Sequence, residues 1–235
     1  MEKIYKQKRI PKNTTKTIQL IEKYKTEKFL NEVFIGKILG DATINKTGNL
    51  CIAQGVQQKD YVEHCFDLFI SYIRPGRKIY SYMNKRKGKL HEILSFETCA
   101  IFKEYLNIFY RYEEGTNKRI KIIPNNIGDY LTLRSLAYWI MDDGCFYTNT
   151  KLAICTHSFT LEENLLLIEV IQNKFSLPCS LLKTKQSINK ELYWYYLSIN
   201  DSSLLWELVK DYILPSFYYK FGKGPKPMAK LELEN

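Results

Sequence analysis

Two apolar runs of helical length recur along the chain, and each ends abruptly in acidic and small residues. The first reads FIGKILGDA over residues 34–42, and the second reads LAYWIMDDG over residues 136–144. Asp41 and Asp143 take the same place in the two runs, 102 positions apart. Because the C-terminus of a helix carries partial negative charge, an Asp at that end needs a cation close by. The repeat therefore predicts that the two helix ends meet and hold divalent metal.

The same succession of hydrophobic patterns follows each run. Strands are predicted at 49–54, 77–82, 92–96, 151–157, 180–184 and 192–199, with the first hairpin turning at 85–89. Helices are predicted at 61–73, 100–110, 161–175 and 202–212. Each half reads αββαββα, so the predicted fold class is α/β (α+β). Two pseudo-twofold-related halves form antiparallel β-sheet saddles, with the helices of the two runs at their interface.

The boundaries of the halves follow from these patterns and from composition. The expected division is a basic N-terminal arm at 1–30, a first repeat at 31–112, a linker at 113–130, a second repeat at 131–221 and a tail at 222–235. The linker is rich in Gly, Asn, Lys and Pro, which favour loops.

Gly36 and Gly40 are four positions apart, so they share a helix face and allow a partner helix to approach closely. Tyr138 and Asp142 take their places in the second run. Two arrangements are open: an asymmetric helix pair, or a register shift that puts Ala137 at the contact.

The two runs resemble the LAGLIDADG motif of homing endonucleases, with its last acidic position kept as Asp41 and Asp143. The resemblance is to single-chain, two-motif members encoded by organellar group I introns, and supporting segments lie at 121–126 and 214–220. It implies a monomeric, site-specific endonuclease that cuts both strands of a long asymmetric double-stranded DNA target and leaves short 3′ overhangs. The alternatives are an RNA maturase that assists splicing of its host intron and a non-catalytic DNA-binding protein on the same scaffold.

The candidate metal ligands are Asp41 and Asp143, because carboxylate-held Mg²⁺ supplies the nucleophile and the charge relief that phosphodiester hydrolysis needs. The resemblance implies Mg²⁺ as the cofactor, Mn²⁺ as a substitute, and Ca²⁺ as an ion that binds without supporting cleavage. Gly40 and Asp142 align with each other and are expected to lend backbone carbonyls to the metal site. The alternative is that each acid only caps neighbouring backbone.

Four further residues are candidates for the chemistry. In the resemblance, Lys121 and Lys220 flank the active sites and contact the scissile phosphate or order the attacking water; a general phosphate clamp is the alternative. Gln54 and His157 fall at equivalent strand ends, thirteen and fourteen residues after their acids. A His there is suited to act as a general base, although a structural role or a base contact fits equally well.

The charge of the chain points to a polyanionic partner. The formal net charge is +10 and the pI is near 9.1. Residues 1–28 carry nine Lys or Arg and three Glu, and residues 74–89 carry seven basic and no acidic side chains. The candidate DNA contacts are Asn45, Lys46, Asn49, Arg77, Lys78, Tyr80, Tyr82, Lys85, Arg86, Lys87, Lys183, Lys185, Gln186 and Tyr195. For any single Lys, a solvated face is the alternative.

Composition also bears on compartment. The six cysteines show no CxxC pair and no zinc-ligand spacing, which indicates buried thiols in a reducing compartment. No apolar run reaches membrane-spanning length and no signal peptide is visible, so a membrane partner is not expected. The abundance of Lys, Asn, Ile, Tyr and Phe fits A+T-rich coding, and with it a mitochondrial or chloroplast gene. Host intron RNA is a further candidate partner.

Overall fold

The computed structural model describes residues 14–86, 88–185 and 193–224. Its helices are α1 (Thr14–Thr26), α2 (Lys28–Leu39), α3 (Lys59–Leu68), α4 (Leu106–Phe109), α5 (Ile127–Tyr130), α6 (Leu133–Asp143), α7 (Leu161–Phe175) and α8 (Ser202–Val209). Its strands are β1 (Thr43–Ile44), β2 (Leu50–Gly55), β3 (Tyr80–Arg86), β4 (Lys89–Glu97), β5 (Tyr110–Tyr112), β6 (Arg119–Lys121), β7 (Gly144–Thr148), β8 (Lys151–Cys155), β9 (Cys179–Lys185) and β10 (Tyr193–Ile199). No helix in these ranges is long and apolar enough to cross a membrane.

Each half follows the same path, α2-β1-β2-α3-β3-β4-α4 and then α6-β7-β8-α7-β9-β10-α8. The two four-stranded sheets are antiparallel and have matching strand orders, β1-β2-β4-β3 and β7-β8-β10-β9. The predicted α/β class with two related halves is confirmed. Both motif helices, α2 and α6, are buried between the halves and pack against each other.

Local signals placed some elements well and misplaced others. Helix α7 matches its predicted bounds, because Thr160 and Glu163 form a capping box at its start. The chain turns within the predicted 85–89 segment, but the turn is shorter: the strands continue until Arg86 pairs with Lys89, and Gly88 (φ 82°) lies in the reversal. Both strands are exposed and polar here, so their sequence resembles that of a turn.

Two predicted segments carry different structure. The first closing helix, predicted at 100–110, is reduced to a 3₁₀ turn at Lys103–Tyr105 and the single turn of α4. The segment predicted as a linker, 113–130, carries β6 and α5, and β6 pairs with β5 from the end of the first half. The pairing of β5 with β6 gives this segment regular structure, although its composition is typical of a loop.

The two motif helices meet asymmetrically. A Cβ on Gly36 would lie 2.4 Å from the Ser135 carbonyl oxygen and 2.6 Å from Tyr138 Cβ. A Cβ on Gly40 would lie 2.5 Å from Asp142 Cβ. Each glycine therefore makes room for the larger residue at the equivalent place of the other helix. The asymmetric, in-register arrangement is the one that forms, and the shift to Ala137 is not needed.

Candidate active site

Asp41 lies just beyond the end of α2 and is held from two directions. Gln54, on the core-facing side of β2, donates from Nε2 to Asp41 Oδ2 at 2.9 Å. The Asp41 backbone N–H donates to Asp142 Oδ2 at 3.0 Å. Asp41 is exposed, whereas Gln54 is buried, so the amide anchors a carboxylate that remains open to solvent.

Asp143 ends α6 and has a different set of neighbours. Trp139, one turn earlier, donates from Nε1 to Asp143 Oδ2 at 3.3 Å. Burial, followed by the charges of Asp41 and Asp142, raises the pKa of Asp143 to about 7. The 3.0 Å hydrogen bond from the Asp41 backbone to Asp142, the neighbour of Asp143 in the chain, shows that the two helix ends meet.

Lys121 and Lys220 occupy matching places at the two helix ends. Lys121 Nζ donates to the carbonyl oxygens of Gly40 (2.6 Å) and Ala42 (3.0 Å). Lys220 Nζ donates to three carbonyl oxygens at the end of α6, including those of Met141 (2.6 Å) and Asp142 (2.9 Å). Burial lowers the pKa of both lysines, against the three nearby acids. A lysine therefore supplies the cation that each helix end requires. From the sequence, that cation was expected to be a divalent metal.

Asp142 accepts hydrogen bonds on its side-chain carboxylate as well as on its backbone carbonyl. Its carboxylate faces Lys37, with Nζ and Oδ1 2.6 Å apart and both side chains fully buried. Gln54 Nε2 lies 3.2 Å from the same oxygen. Although burial by itself disfavours the ammonium, Asp142 and the other neighbouring acidic groups raise the pKa of Lys37. The carbonyls of Gly40 and Asp142, expected as metal ligands, both accept from lysines in this structure.

The functional residue that sequence reasoning missed is Lys37. It lies in the apolar run of α2, where a charged side chain has no exposed face to occupy. The sequence did contain a signal for this role. A lysine on an otherwise buried helix needs an acidic partner, and Asp142 is the additional acid of the second run.

The expected equivalence of Gln54 and His157 is wrong. Thr43 pairs with Cys51, and Cys145 pairs with Ala153, each first member lying two residues after its acid. Gln54 lies three residues after Cys51, and Thr156 lies three residues after Ala153. The strand register therefore makes Thr156, and not His157, the equivalent of Gln54. His157 is exposed and packs edge-on against Trp194, with ring centroids 5.0 Å apart. No described hydrogen bond joins it to either acid.

Strand alternation decides which candidate DNA contacts share a surface in the first half. Phe96 is buried and its ring lies 5.3 Å from that of Phe66 in α3, which fixes the covered face of this sheet. Ser95, the residue before Phe96 in β4, pairs with Tyr80 on the uncovered face. Tyr82 and Arg86 follow Tyr80 on that face at even spacing, together with Asn84, whereas Lys85 lies on the opposite face.

In the second half, strand alternation places three of the predicted DNA contacts on the covered face of the sheet, contrary to the prediction. Leu197 and Ile199 are fully buried, so Tyr195 lies on the covered face of β10. Lys183 pairs with Tyr195 and Lys185 pairs with Tyr193, which places both lysines on that face too. The residues that the uncovered face presents instead are Trp194, Tyr196 and Thr184.

The remaining candidates lie in loops or outside the described residues. Asn45 Oδ1 accepts from the Thr47 N–H (3.0 Å) and the Asn49 N–H (3.1 Å), so its carbonyl serves the turn. Asn45, Asn49, Arg77 and Lys78 line one polar cleft, while Lys46 is exposed. Lys87 and Gln186 lie outside the described residues.

Comparison with known proteins identifies the family of this chain. The sequence profile of the LAGLIDADG DNA endonuclease family matches residues 31–205. The chain belongs to this family. A relative named probable intron-encoded endonuclease 1, from Wickerhamomyces canadensis, is 32% identical over 86% of this chain and 90% of its own length.

Other LAGLIDADG relatives carry two kinds of name. The homing endonuclease I-WcaI, solved bound to its DNA recognition sequence, superimposes with a TM-score of 0.71 at 28% identity, covering 92% of this chain and 96% of its own. The protein named cytochrome b mRNA maturase bI2, from Saccharomyces cerevisiae, is 26% identical over 81% of this chain and 46% of its own length.

The two motif acids fit a hard divalent cation. In proteins Mg²⁺ is held by one or two carboxylates, and its coordination is completed by water and phosphate oxygens. Asp142 is paired with Lys37, which leaves Asp41 and Asp143 as the two carboxylates at the helix ends that could bind such a cation. A divalent cation held by them would offset the burial and the neighbouring negative charges that raise the pKa of Asp143.

Proposed function

We propose that this protein is a site-specific endonuclease that hydrolyses both strands of double-stranded DNA with Mg²⁺. The observation that carries the proposal is the contact between the two helix ends that bear Asp41 and Asp143, each end bonded to a lysine, Lys121 or Lys220. Each half of the chain supplies one acid and one lysine. One copy is therefore sufficient for a complete site, which supports a monomer.

Mg²⁺, when bound, supplies a nucleophilic water at neutral pH and stabilises charge on the scissile phosphate. Asp41 and Asp143 would hold the ion, and the Gln54 amide keeps the Asp41 carboxylate in place at 2.9 Å. Lys121 and Lys220 place positive charge at the ends of the two motif helices, beside the acids. Because these ammonium groups are largely desolvated, they act on a phosphate more strongly than surface lysines would.

The target is expected to be long and asymmetric, because the uncovered faces of the two sheets differ. The first presents Tyr80, Tyr82 and the cationic Arg86. The second presents Trp194 and Tyr196. A palindromic site would meet unlike side chains in its two halves. The family resemblance supports a staggered cut with short 3′ overhangs.

Arg86 and Lys85 provide a matched test of the DNA face. Arg86→Gln is expected to lower the steepness of log affinity against log salt by about one unit, since one phosphate contact is lost. Lys85→Gln, the neighbour on the opposite face, should leave the slope unchanged. Affinities for the target measured across a series of salt concentrations give both slopes. Equal slopes for the two variants would contradict the assignment of faces.

The function itself is tested by selecting cleaved duplexes from a randomised library. With Mg²⁺, the protein is expected to enrich one long asymmetric sequence cut on both strands. Mn²⁺ should replace Mg²⁺, whereas Ca²⁺ should support binding alone and EDTA should stop cleavage. Absence of cut duplex in Mg²⁺ and in Mn²⁺ would refute the proposal.

The second candidate function, RNA maturase, is supported by relatives named cytochrome b mRNA maturase. Side chains on a sheet reach base edges in the wide major groove of B-form DNA, but not in the narrow one of A-form RNA. The selected DNA site is therefore expected to outcompete host intron RNA by about a thousandfold. Competition at physiological salt measures this ratio. Equal affinities without DNA cleavage would favour the maturase.

The gene is proposed to lie within an organellar intron, in a mitochondrion or a chloroplast. Relatives are named intron-encoded endonucleases and a cytochrome b mRNA maturase, and the composition fits A+T-rich coding. The host intron RNA is then available as a partner wherever the protein is made.

A further inference from the structure

A hydrogen-bonded network joins the two halves behind Asp41. Asp142, from the second half, accepts from the buried Lys37 ammonium (2.6 Å), from the Asp41 backbone N–H (3.0 Å) and from Gln54 Nε2 (3.2 Å). Gln54 also donates to the Asp41 carboxylate at 2.9 Å. Asp142 therefore touches the backbone of Asp41 directly and its carboxylate through one amide.

We propose that Asp142 is a positioning residue for Asp41, acting across the interface on the cleavage centre of the other half. The inference rests on the proposed endonuclease function. Three donors converge on the Asp142 carboxylate, so it is an acceptor that fixes the direction of the Gln54 amide. With that amide fixed, the Asp41 carboxylate keeps one oxygen bonded and presents the other to a metal ion.

Among the described residues of the second half, no side chain plays the part of Asp142 for Asp143. Gly40 stands where the second run has Asp142, and it has no side chain to reach Asp143. Thr156, which the register matches with Gln54, bonds to Asn164 in the core and not to an acid. Asp143 has the Trp139 indole, a single neutral donor at 3.3 Å. The two motif acids are therefore held unequally, and the loss of the Asp142 carboxylate should affect the Asp41 centre more than the Asp143 centre.

The test is strand-resolved cleavage of a supercoiled plasmid that carries one copy of the selected target. Asp142→Asn is expected to slow, by about 10- to 100-fold, whichever strand Asp41→Asn slows more, and to change the other strand less than about threefold. Nicked circle should accumulate. Equal slowing of both strands, or slowing of the strand that depends on Asp143, would overturn the positioning role.

Gln54→Met gives a second variant that leaves the Lys37–Asp142 ion pair intact. It removes the amide link to the Asp41 carboxylate and is expected to slow the same strand as Asp142→Asn. If Asp142→Asn does not fold, this variant carries the test alone. Wild-type strand rates in Gln54→Met would overturn the proposal.

Metal occupancy provides a readout that does not depend on cleavage. Because the Trp139 indole bonds to Asp143, it is placed to excite a terbium ion bound between the two acids. In DNA-bound protein, Asp142→Asn and Gln54→Met are expected to weaken terbium binding by about 10-fold or more. Wild-type terbium affinity in both would count against the positioning role. If the wild-type protein cuts neither strand, the proposed endonuclease function itself fails; if it cuts while both variants keep its strand ratio, only the positioning role fails.

Discussion

Asn in place of Asp41 or of Asp143 is expected to abolish double-strand cleavage while DNA binding stays intact. Each carboxylate supplies charge for the metal site, and removal of one preorganised electrostatic partner typically costs about 10²–10³ in rate. Because the lost charge is negative and lies beside the phosphate path, affinity for the target should stay the same or rise. Single-turnover cleavage and equilibrium binding, measured on the selected target, separate the two effects.

Thermal stability provides the control for the Asp143 variant. Burial and neighbouring acids raise the pKa of Asp143 from 3.8 to about 7, so its ionised form destabilises the folded protein increasingly as pH rises between these values. Asp143→Asn should therefore melt at a higher temperature than wild type at pH 8, and the gain should shrink towards pH 4. Lost cleavage together with a lowered melting temperature would point to misfolding, and wild-type cleavage would refute the metal assignment.

Lys37→Met is expected to cause the largest loss of stability among the substitutions considered for this chain. It leaves the fully buried Asp142 carboxylate without its cation and next to Asp41. Breaking a buried ion pair by removing one partner costs about 3–5 kcal/mol. At about 2–4 °C per kcal/mol for a chain of this size, the melting temperature should fall by roughly 6–20 °C. Differential scanning calorimetry and denaturant titration measure both quantities.

Two controls make this prediction specific. Adding Asp142→Asn to Lys37→Met removes both buried charges and is expected to recover much of the loss. Lys59→Met breaks an exposed ion pair with Glu63 and should change stability by no more than about 0.5 kcal/mol. A double variant as unstable as Lys37→Met would show that side-chain packing, and not charge, holds this part of the interface.

Several features follow from local sequence because local physics decides them. The periodicity of apolar residues places helix α7, and its capping residues fix where it begins. The two acid-ending runs predict a pair of helices that meet, since each carries its acid at the same end. The sequence did not predict which face of each strand is covered. Tyr193, Trp194, Tyr195 and Tyr196 are all amphipathic, so the sequence does not show which face of β10 is covered, whereas the burial of Leu197 and Ile199 does.

The sequence by itself determined the fold class, the paired acids Asp41 and Asp143, and the basic character that points to DNA, because these depend on spacing and composition. Only the tertiary structure decided what surrounds the acids. Lys37 meets Asp142 across 105 positions of chain, and Lys121 and Lys220 reach helix ends about 80 residues away. Contacts over such separations are set by how the halves pack. A linear pattern names the charged groups but not their partners.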